Sequence, residues 1–440
     1  MSQIFTPYAD SSASAPVPAE RRSSAFKSIF IVASGNFLEM FDFMVFGYYA
    51  TYIAKAFFPA DSEFASLMLT LMTFGAGFLM RPVGALVLGA YIDKHGRRRG
   101  LLLTLGLMAL GTLAIAVTPS YAQIGVAAPV IILLGRLIQG LSAGVEVGGV
   151  SVYLNEIAPP DRRGFFTSWQ SASQQAAVVF AAVIGLLVST SLDAETMQAW
   201  GWRVPFVIGC LMIPFLFVIR SHMEETEAFL NRKVRPDLSQ ILRTVGANWG
   251  LVAQGTFMAV MTTVFFYMIT AYTPTFGTKV LALGPGESLF VTACVGITNF
   301  TLLPVMGALS DRVGRKPLLI TATLLGMVFA YPLMHWLVEA PSFGRLLTVE
   351  LLLAAIYAIY NGAFIVYLTE VIPVHVRTVG FSLAYSLATA IFGGFTPAIS
   401  TALIGATGDK AIPGAWCAAA ALLSLLALLI GAHLARRRAA

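Results

Sequence analysis

Charge is scarce in this chain. Acidic and basic residues make up 11% of its 440 positions, against about a quarter in an ordinary soluble protein. Apolar residues reach 57%, and apolar runs long enough to cross a bilayer recur throughout, which excludes a water-soluble globule. Cysteine is scarce too. Cys210, Cys294 and Cys417 sit far apart in apolar segments, a pattern of buried free thiols rather than of a disulfide framework or a thiolate metal site. The five histidines have no metal-ligand spacing, and no phosphate-binding glycine loop is present. "GLSAG" at 140–144 fits a hydrolase nucleophile pattern around Ser142, but that pattern needs a strand-to-helix elbow, and this copy lies in a glycine-rich apolar helix. No enzyme activity, cofactor or metal is expected. Residues 1–26, rich in Ala, Ser and Pro, lack the apolar core and cleavage site of a secretory signal and read as a disordered cytoplasmic tail.

What is present is a series of twelve candidate spans. They lie near 27–53, 65–92, 100–119, 124–155, 164–190, 202–220, 246–275, 287–309, 317–338, 345–370, 376–406 and 412–435. The fold class expected is an all-α membrane protein with twelve transmembrane helices. Basic residues give the orientation. The N-terminal tail, the even-numbered connections and the C-terminus hold 21 of them, Arg97–Arg99 and Arg436–Arg438 included. The odd-numbered connections hold five, Lys55, Arg203, Lys279, Arg345 and Lys410. Positive charge collects on the cytoplasmic side of such proteins, which places both termini in the cytoplasm. The net charge of +6 is a topology signal and gives no basis for nucleic-acid binding.

One half is written twice. In "GAYIDKHGRR" (89–98) and "GALSDRVGRK" (307–316), Gly89, Asp93, Gly96 and Arg97 recur as Gly307, Asp311, Gly314 and Arg315, each 218 positions later. In "NEIAPPDRRG" (155–164) and "TEVIPVHVRTVG" (369–380), Glu156, Pro159 and Arg163 recur as Glu370, Pro373 and Arg377, at an offset of 214. Parallel repeats of this kind build secondary transporters that bind substrate between their halves. The organisation expected is a tail (1–26), an N-terminal six-helix bundle (27–220), a cytoplasmic linker (221–245), a C-terminal six-helix bundle (246–435) and a short cytoplasmic tail (436–440).

The repeated loop resembles the signature loop of the major facilitator superfamily, found between helices 2 and 3 and again between 8 and 9. "GNFLEMFDF", "MRPVGALVLGAYID", "GRLIQGLSAGVEVGG" and "NEIAPPDRRG" are similar to its metabolite–proton symporter branch. "DSEFASLMLT", "TSWQSASQQ" and "RTVGFSLAYSLATAIFGGFTPAIS" most resemble the bacterial citrate–proton symporters of that branch, with tricarballylate carriers as near relatives. The resemblance covers 27–435. It implies two pseudo-symmetric bundles in a bacterial inner membrane, a monomer, and alternating-access import of citrate or a related tricarboxylate with protons. Tricarballylate, a dicarboxylate or a zwitterionic metabolite of the same branch is the alternative cargo.

Ionisable residues inside a membrane persist where they have a partner or a task. At about 1.5 Å per residue, Glu39 lies roughly 18 Å and Asp42 roughly 22 Å in from Lys27, Arg81 about 18 Å from Asp93, and Arg136 about 30 Å from Glu156. Two levels of opposite charge are expected, Glu39 with Arg81 and Asp42 with Arg136, with Glu146 lower. Three acids then face two bases, so one carboxylate lacks a full partner, and burial favours the neutral form of such a group. The second half is expected to contribute no central charge. Similar symporters of the superfamily use a helix-1 acid linked to a helix-4 arginine, which implies proton coupling through Glu39, Asp42, Glu146, Arg81 and Arg136.

Arg136, Gln139 and Glu146 share one sector of helix 4, beside Gly140, Gly144 and Gly148, whose spacing permits close helix contact. Neutral donors complete a lining: Asn36, Gln174, Gln175, Tyr267, Thr270, Tyr272, Asn299, Tyr357, Tyr360 and Asn361. A tricarboxylate needs fixed cations and many donors to replace its water. These side chains are the expected substrate-binding set, with Arg136 as carboxylate clamp in competition with Asp42. Asp93, Arg97, Glu156 and Arg163, with their repeats Asp311, Arg315, Glu370 and Arg377, are expected to pair at the cytoplasmic helix ends as a gating latch.

Overall fold

The computed structural model describes residues 36–221, 238–373 and 377–439. The N-terminal tail and most of the linker fall outside them. Eleven described helices are long and apolar enough to cross a membrane. They are α2 (Glu63–Ile92), α3 (Arg98–Val117), α4 (Ala127–Ile157), α5 (Arg163–Ser191), α6 (Gly201–Val218), α7 (Trp249–Val280), α8 (Pro285–Val313), α9 (Arg315–Glu339), α10 (Phe343–Val371), α11 (Arg377–Thr407) and α12 (Ile412–Gly431). Ahead of them α1, described from residue 36, runs to Phe57 with a turn at Tyr49. The helices form the expected pair of six-helix bundles, α1–α6 and α7–α12.

Lipid, like a core, accepts apolar side chains, so the outermost helices need no polar face. Leu211, Phe215, Phe217 and Val218 of α6 and Val328, Phe329 and Trp336 of α9 are exposed accordingly. The enclosed helices are α7 and α10. Helix starts are fixed locally: Ser62 Oγ accepts from the Ala65 N–H and Ser342 Oγ from the Arg345 N–H. Gly96 and Gly314, the glycines of the two signature loops, have φ of 102° and 95°. Side chains disfavour that region, and each glycine N–H closes the preceding helix on a last-turn carbonyl, Ile92 or Ser310. Both copies of the motif keep glycine for that reason.

Breaks in the helices position the polar side chains. Pro82, which has no N–H, begins a new segment of α2 at Arg81. α4 turns at Gly144 and Val145, between the segment bearing Arg136 and Gln139 and the one bearing Glu146. α7 widens into π-helix at Met268–Tyr272 and again at Phe276–Val280, on either side of Pro274. The second of these segments carries the helix past residue 275, the end expected for this span.

Between the bundles α5 runs along α8. At their crossing Gly164 and Gly307 meet backbone to backbone, where a Cβ on either would collide with the other helix. Phe78 of α2 packs on Gly394, and Phe395 of α11 on Gly75. The expected close approach of α4 is present: Gly140 meets Gly77, Gly144 meets the backbone at Arg81 and Gly84, and Gly148 meets Ser382. A linker helix, Leu238–Ala247, sets Ile241 and Val245 against Leu86 and Ala90 of α2 and Val379 and Leu383 of α11. It touches both bundles at once. The cysteines are free, but Cys210 and Cys294 are half-buried, and Cys417 alone of the three is fully enclosed.

Candidate substrate and proton site

Glu39 and Arg81 meet as expected. The Arg81 Nη2 donates to Glu39 Oε1 with both side chains buried, and the guanidinium lies 5.3 and 5.1 Å from the ring centres of Phe43 and Phe78. Glu146 is close enough to Arg81 to interact with its charge.

Asp42 and Arg136 do not form the direct ion pair expected of them. Gln139 stands between. Arg136 Nη1 donates to Gln139 Oε1 at 2.8 Å, and Gln139 Nε2 donates to Thr112 Oγ1 at 3.1 Å and, more weakly, to Asp42 Oδ2 at 3.4 Å. Thr112 Oγ1 also donates to Asp42 Oδ2. The physical reason is reach: α6 and α3 hold Asp42 inside the N-terminal bundle, where Oδ1 lies beside Gly209, while Arg136 turns into a cage of rings. Its guanidinium carbon is 4.4, 4.6 and 5.3 Å from the centres of Phe43, Phe46 and Phe74.

The cage leaves one edge of the guanidinium unused. Arg136 is 0% exposed, yet Nε and Nη2 have no hydrogen-bond partner among the described residues. Those two N–H groups form the side fork that matches a carboxylate bidentately. Buried donors without acceptors are costly and rare.

The neutral residues of the expected lining divide into engaged and open. Asn36 donates to the Gln170 carbonyl at 3.1 Å and accepts from Gln174 at 3.3 Å, tying α1 to α5. Thr270 donates to its own helix at the Phe266 carbonyl, Tyr272 bonds Thr401 at 2.9 Å, and Tyr360 donates to the Met258 carbonyl at 2.6 Å. All three hydroxyls are engaged, and those of Tyr272 and Tyr360 tie α7 to α11 and α10. Asn361 donates to the Tyr357 hydroxyl at 3.1 Å and accepts from Thr262. Gln175 and Asn299 are 0% exposed; Gln175 lies close enough to the Tyr357 hydroxyl to interact with it, and neither amide atom of Asn299 has a hydrogen-bond partner among the described residues. Tyr267 packs on Phe74 and Phe78 and lies close enough to Arg81 and Arg136 to interact with both charges.

The second half does carry a buried charge-bearing group. Glu350 on α10 is 0% exposed. Its Oε1 accepts from Thr273 Oγ1 at 3.0 Å, and Oε2 has no partner among the described residues. The rule that singles out Glu39 and Asp42, an acid in an apolar run, applies equally to "LLTVELLLAA". Thr112 gives no such signal, since a threonine in an apolar helix is ordinary.

On the face bearing the signature loops Asp311, Arg315 and Glu370 make the helix-end contacts expected of them. Asp311 caps the start of α5 across the bundle interface, Oδ1 accepting from the Gly164 N–H at 2.8 Å and Oδ2 from the Phe165 N–H at 3.0 Å. A carboxylate there meets the positive end of the helix dipole. Arg315 holds Asp311 at 2.7 Å and Glu370 at 3.2 Å. Glu156 and Arg163 form no ion pair among the described residues, and Arg377 turns back on the Ile372 carbonyl of its own bundle. The side chains of Asp93 and Arg97 fall outside the described residues. On the opposite face Lys279 of α7 meets Glu63 of α2 at 3.2 Å, a cross-bundle pair that the sequence reading missed. Beside it a cavity of about 440 Å³ is lined by Tyr48, Tyr49, Lys55, Pro274 and Lys279, among others.

The family of sugar (and other) transporters matches residues 28–431. The chain belongs to that family. The fold of a solved D-xylose–proton symporter superposes with a TM-score of 0.73 at 19% identity, covering 91% of this chain and 97% of that one. A citrate–proton symporter of Salmonella typhi is 58% identical over 410 residues, 93% of this chain and 94% of the relative. Another from Klebsiella pneumoniae is 58% identical over 400 residues, 91% and 90% of the two chains.

Proposed function

We propose that this protein is a secondary active transporter that carries citrate, or a close tricarboxylate, into the bacterial cell in symport with protons. It acts as a monomer in the inner membrane, with both termini in the cytoplasm. The observation that carries the reading is the bare Nε/Nη2 edge of Arg136, a fork for one carboxylate set two hydrogen bonds, through Gln139, from the acid Asp42. The similarity to citrate–proton symporters over most of both chains supports the choice of cargo.

Coupling runs through Gln139 rather than by contest for a shared guanidinium. While Asp42 is ionised it holds the Gln139 amide, whose oxygen in turn restrains Arg136 Nη1. A proton on Asp42 weakens that hold and lets the guanidinium turn to the anion. Arg81 stays neutralised by Glu39, and Gln175, Asn299 and Tyr267 supply neutral contacts. Gln139→Leu is expected to leave citrate binding intact and to lower the number of protons moved per citrate, read as the ratio of pH change to labelled citrate in proteoliposomes. An unchanged ratio rejects the relay.

Alternating access then works against two closures, Asp311 with the start of α5 on one face and Lys279 with Glu63 on the other. Asp311→Asn keeps one acceptor but loses the charge that the helix start favours. It is expected to raise alkylation of a Ser168→Cys reporter at the α5–α8 seam several-fold, whereas Glu156→Gln leaves it unchanged. Equal effects of the two would remove Asp311 from the latch. The reading as a whole is tested by uptake of labelled citrate into proteoliposomes with and without an inward proton gradient. Stimulation by the gradient is expected, with proline or betaine failing to compete; uptake indifferent to the gradient would refute symport.

A further inference from the structure

Glu350 has no part in the coupling described above, and three features of it point one way. First, it stands at the repeat position of Arg136: 350 and 136 differ by 214, the offset that relates Glu370 to Glu156 and Arg377 to Arg163. The duplicated site is a base in one half and an acid in the other. Second, no cation stands beside it among the described residues. α7 presents Thr273 and α12 the Cys417 thiol, close enough to feel its charge, and no lysine, arginine or histidine pairs with it among the described residues. α5, α8 and α9, which also pack on α10, add none to its hydrogen bonds or ion pairs.

Third, the hydrogens do not suffice for an ionised carboxylate. Thr273 Oγ1 lies 3.0 Å from Glu350 Oε1 and 3.2 Å from the Met268 carbonyl, two acceptors for one hydroxyl proton. A proton on the carboxyl completes the set: Glu350 donates to Thr273, and Thr273 donates to Met268. Without it, a charge lies buried on a single, shared hydrogen bond, an arrangement that folded proteins avoid. The acid in the other half is built alike, with Thr112 set between Asp42 and the Met108 carbonyl. Thr273 is no ordinary neighbour. It lies between the two π-helical segments of α7, and the stretch beyond it carries Lys279 and the cavity wall.

We propose that Glu350 is a second proton-binding site, which clasps the end of α7 to α10 while protonated and lets it swing away when ionised. The inference goes beyond the symport reading and needs no citrate for its test. The reconstituted full-length chain is followed by infrared spectroscopy as pH is raised, reading the C=O stretch of protonated carboxyl groups. Wild type is expected to show a band that Glu350→Gln abolishes and that Thr273→Val shifts in frequency. A spectrum that Glu350→Gln leaves unchanged at every pH overturns the site. Release is read by alkylating a Thr278→Cys reporter in a background with Cys210, Cys294 and Cys417 replaced by serine. Reaction is expected to gain on that of the same reporter carrying Glu350→Gln as pH passes the infrared midpoint, and parallel pH profiles overturn the clasp. Retained thermal unfolding midpoints separate these outcomes from a failure to fold.

Discussion

Arg136→Lys is expected to reduce citrate affinity by about tenfold to a hundredfold, the value of roughly 1.5–3 kcal/mol that a hydrogen bond to a charged group contributes. The charge is kept in this variant, so the loss isolates geometry. An ammonium offers no planar fork for a carboxylate and stacks less well within three rings. Phe43, Phe46 and Phe74 surround a flat cation, and the compact lysine head would sit among them without reaching the place where Nε and Nη2 now point. The pair Glu39–Arg81 serves as a control within the same protein, because it is already neutralised. Isothermal titration of detergent-solubilised protein with citrate measures the effect directly. A change of less than about twofold, against the tenfold that one lost charged hydrogen bond implies, would show that the carboxylate seat lies elsewhere.

Asp42→Asn is expected to abolish uptake driven by a proton gradient while exchange of citrate for citrate continues. The amide matches the acid in size and keeps an oxygen for Thr112 and Gln139, so the fold around α1, α3 and α4 has no cause to change. What it loses is the ability to exchange a proton. Net import requires the empty carrier to return with its acid reset, whereas exchange returns it loaded and never asks for that step. Parallel measurements in proteoliposomes, gradient-driven accumulation against counterflow, separate the two. Stimulation of the variant by a gradient to the same degree as wild type would remove Asp42 from the coupling.

The sequence disclosed those features whose physics is one-dimensional. Hydropathy runs, the bias of basic residues, and the glycines at 96 and 314 each leave a mark that needs no partner to be read. Depth along a helix, counted from its charged end, paired Glu39 with Arg81 correctly because both side chains sit on adjacent helices at one level. The same count put Asp42 level with Arg136 but could not see azimuth, and a side chain rotated toward α3 and α6 meets Thr112 instead. Azimuth depends on helix crossing, which Gly77, Gly140 and Gly144 set through backbone contacts. The latch shows a further limit. Duplicated motifs predict duplicated contacts, and the fold engages Asp311, Arg315 and Glu370, while Glu156 and Arg163 form no ion pair among the described residues. Glu350 was legible, since its repeat offset and apolar setting are both in the sequence.

The segment that joins the bundles has a consequence for how often the carrier turns over. Any movement that draws α2 away from α11 on that side must peel Ile241 and Val245 from one of the surfaces they now cover. Baring either to water would cost about 1.5–3 kcal/mol, enough to shift a conformational population by tenfold or more. The peptide between the two repeats thereby tunes the resting balance of the cycle, and exchanging those two aliphatic residues for smaller ones would reset its tempo without altering a single group that touches cargo or proton.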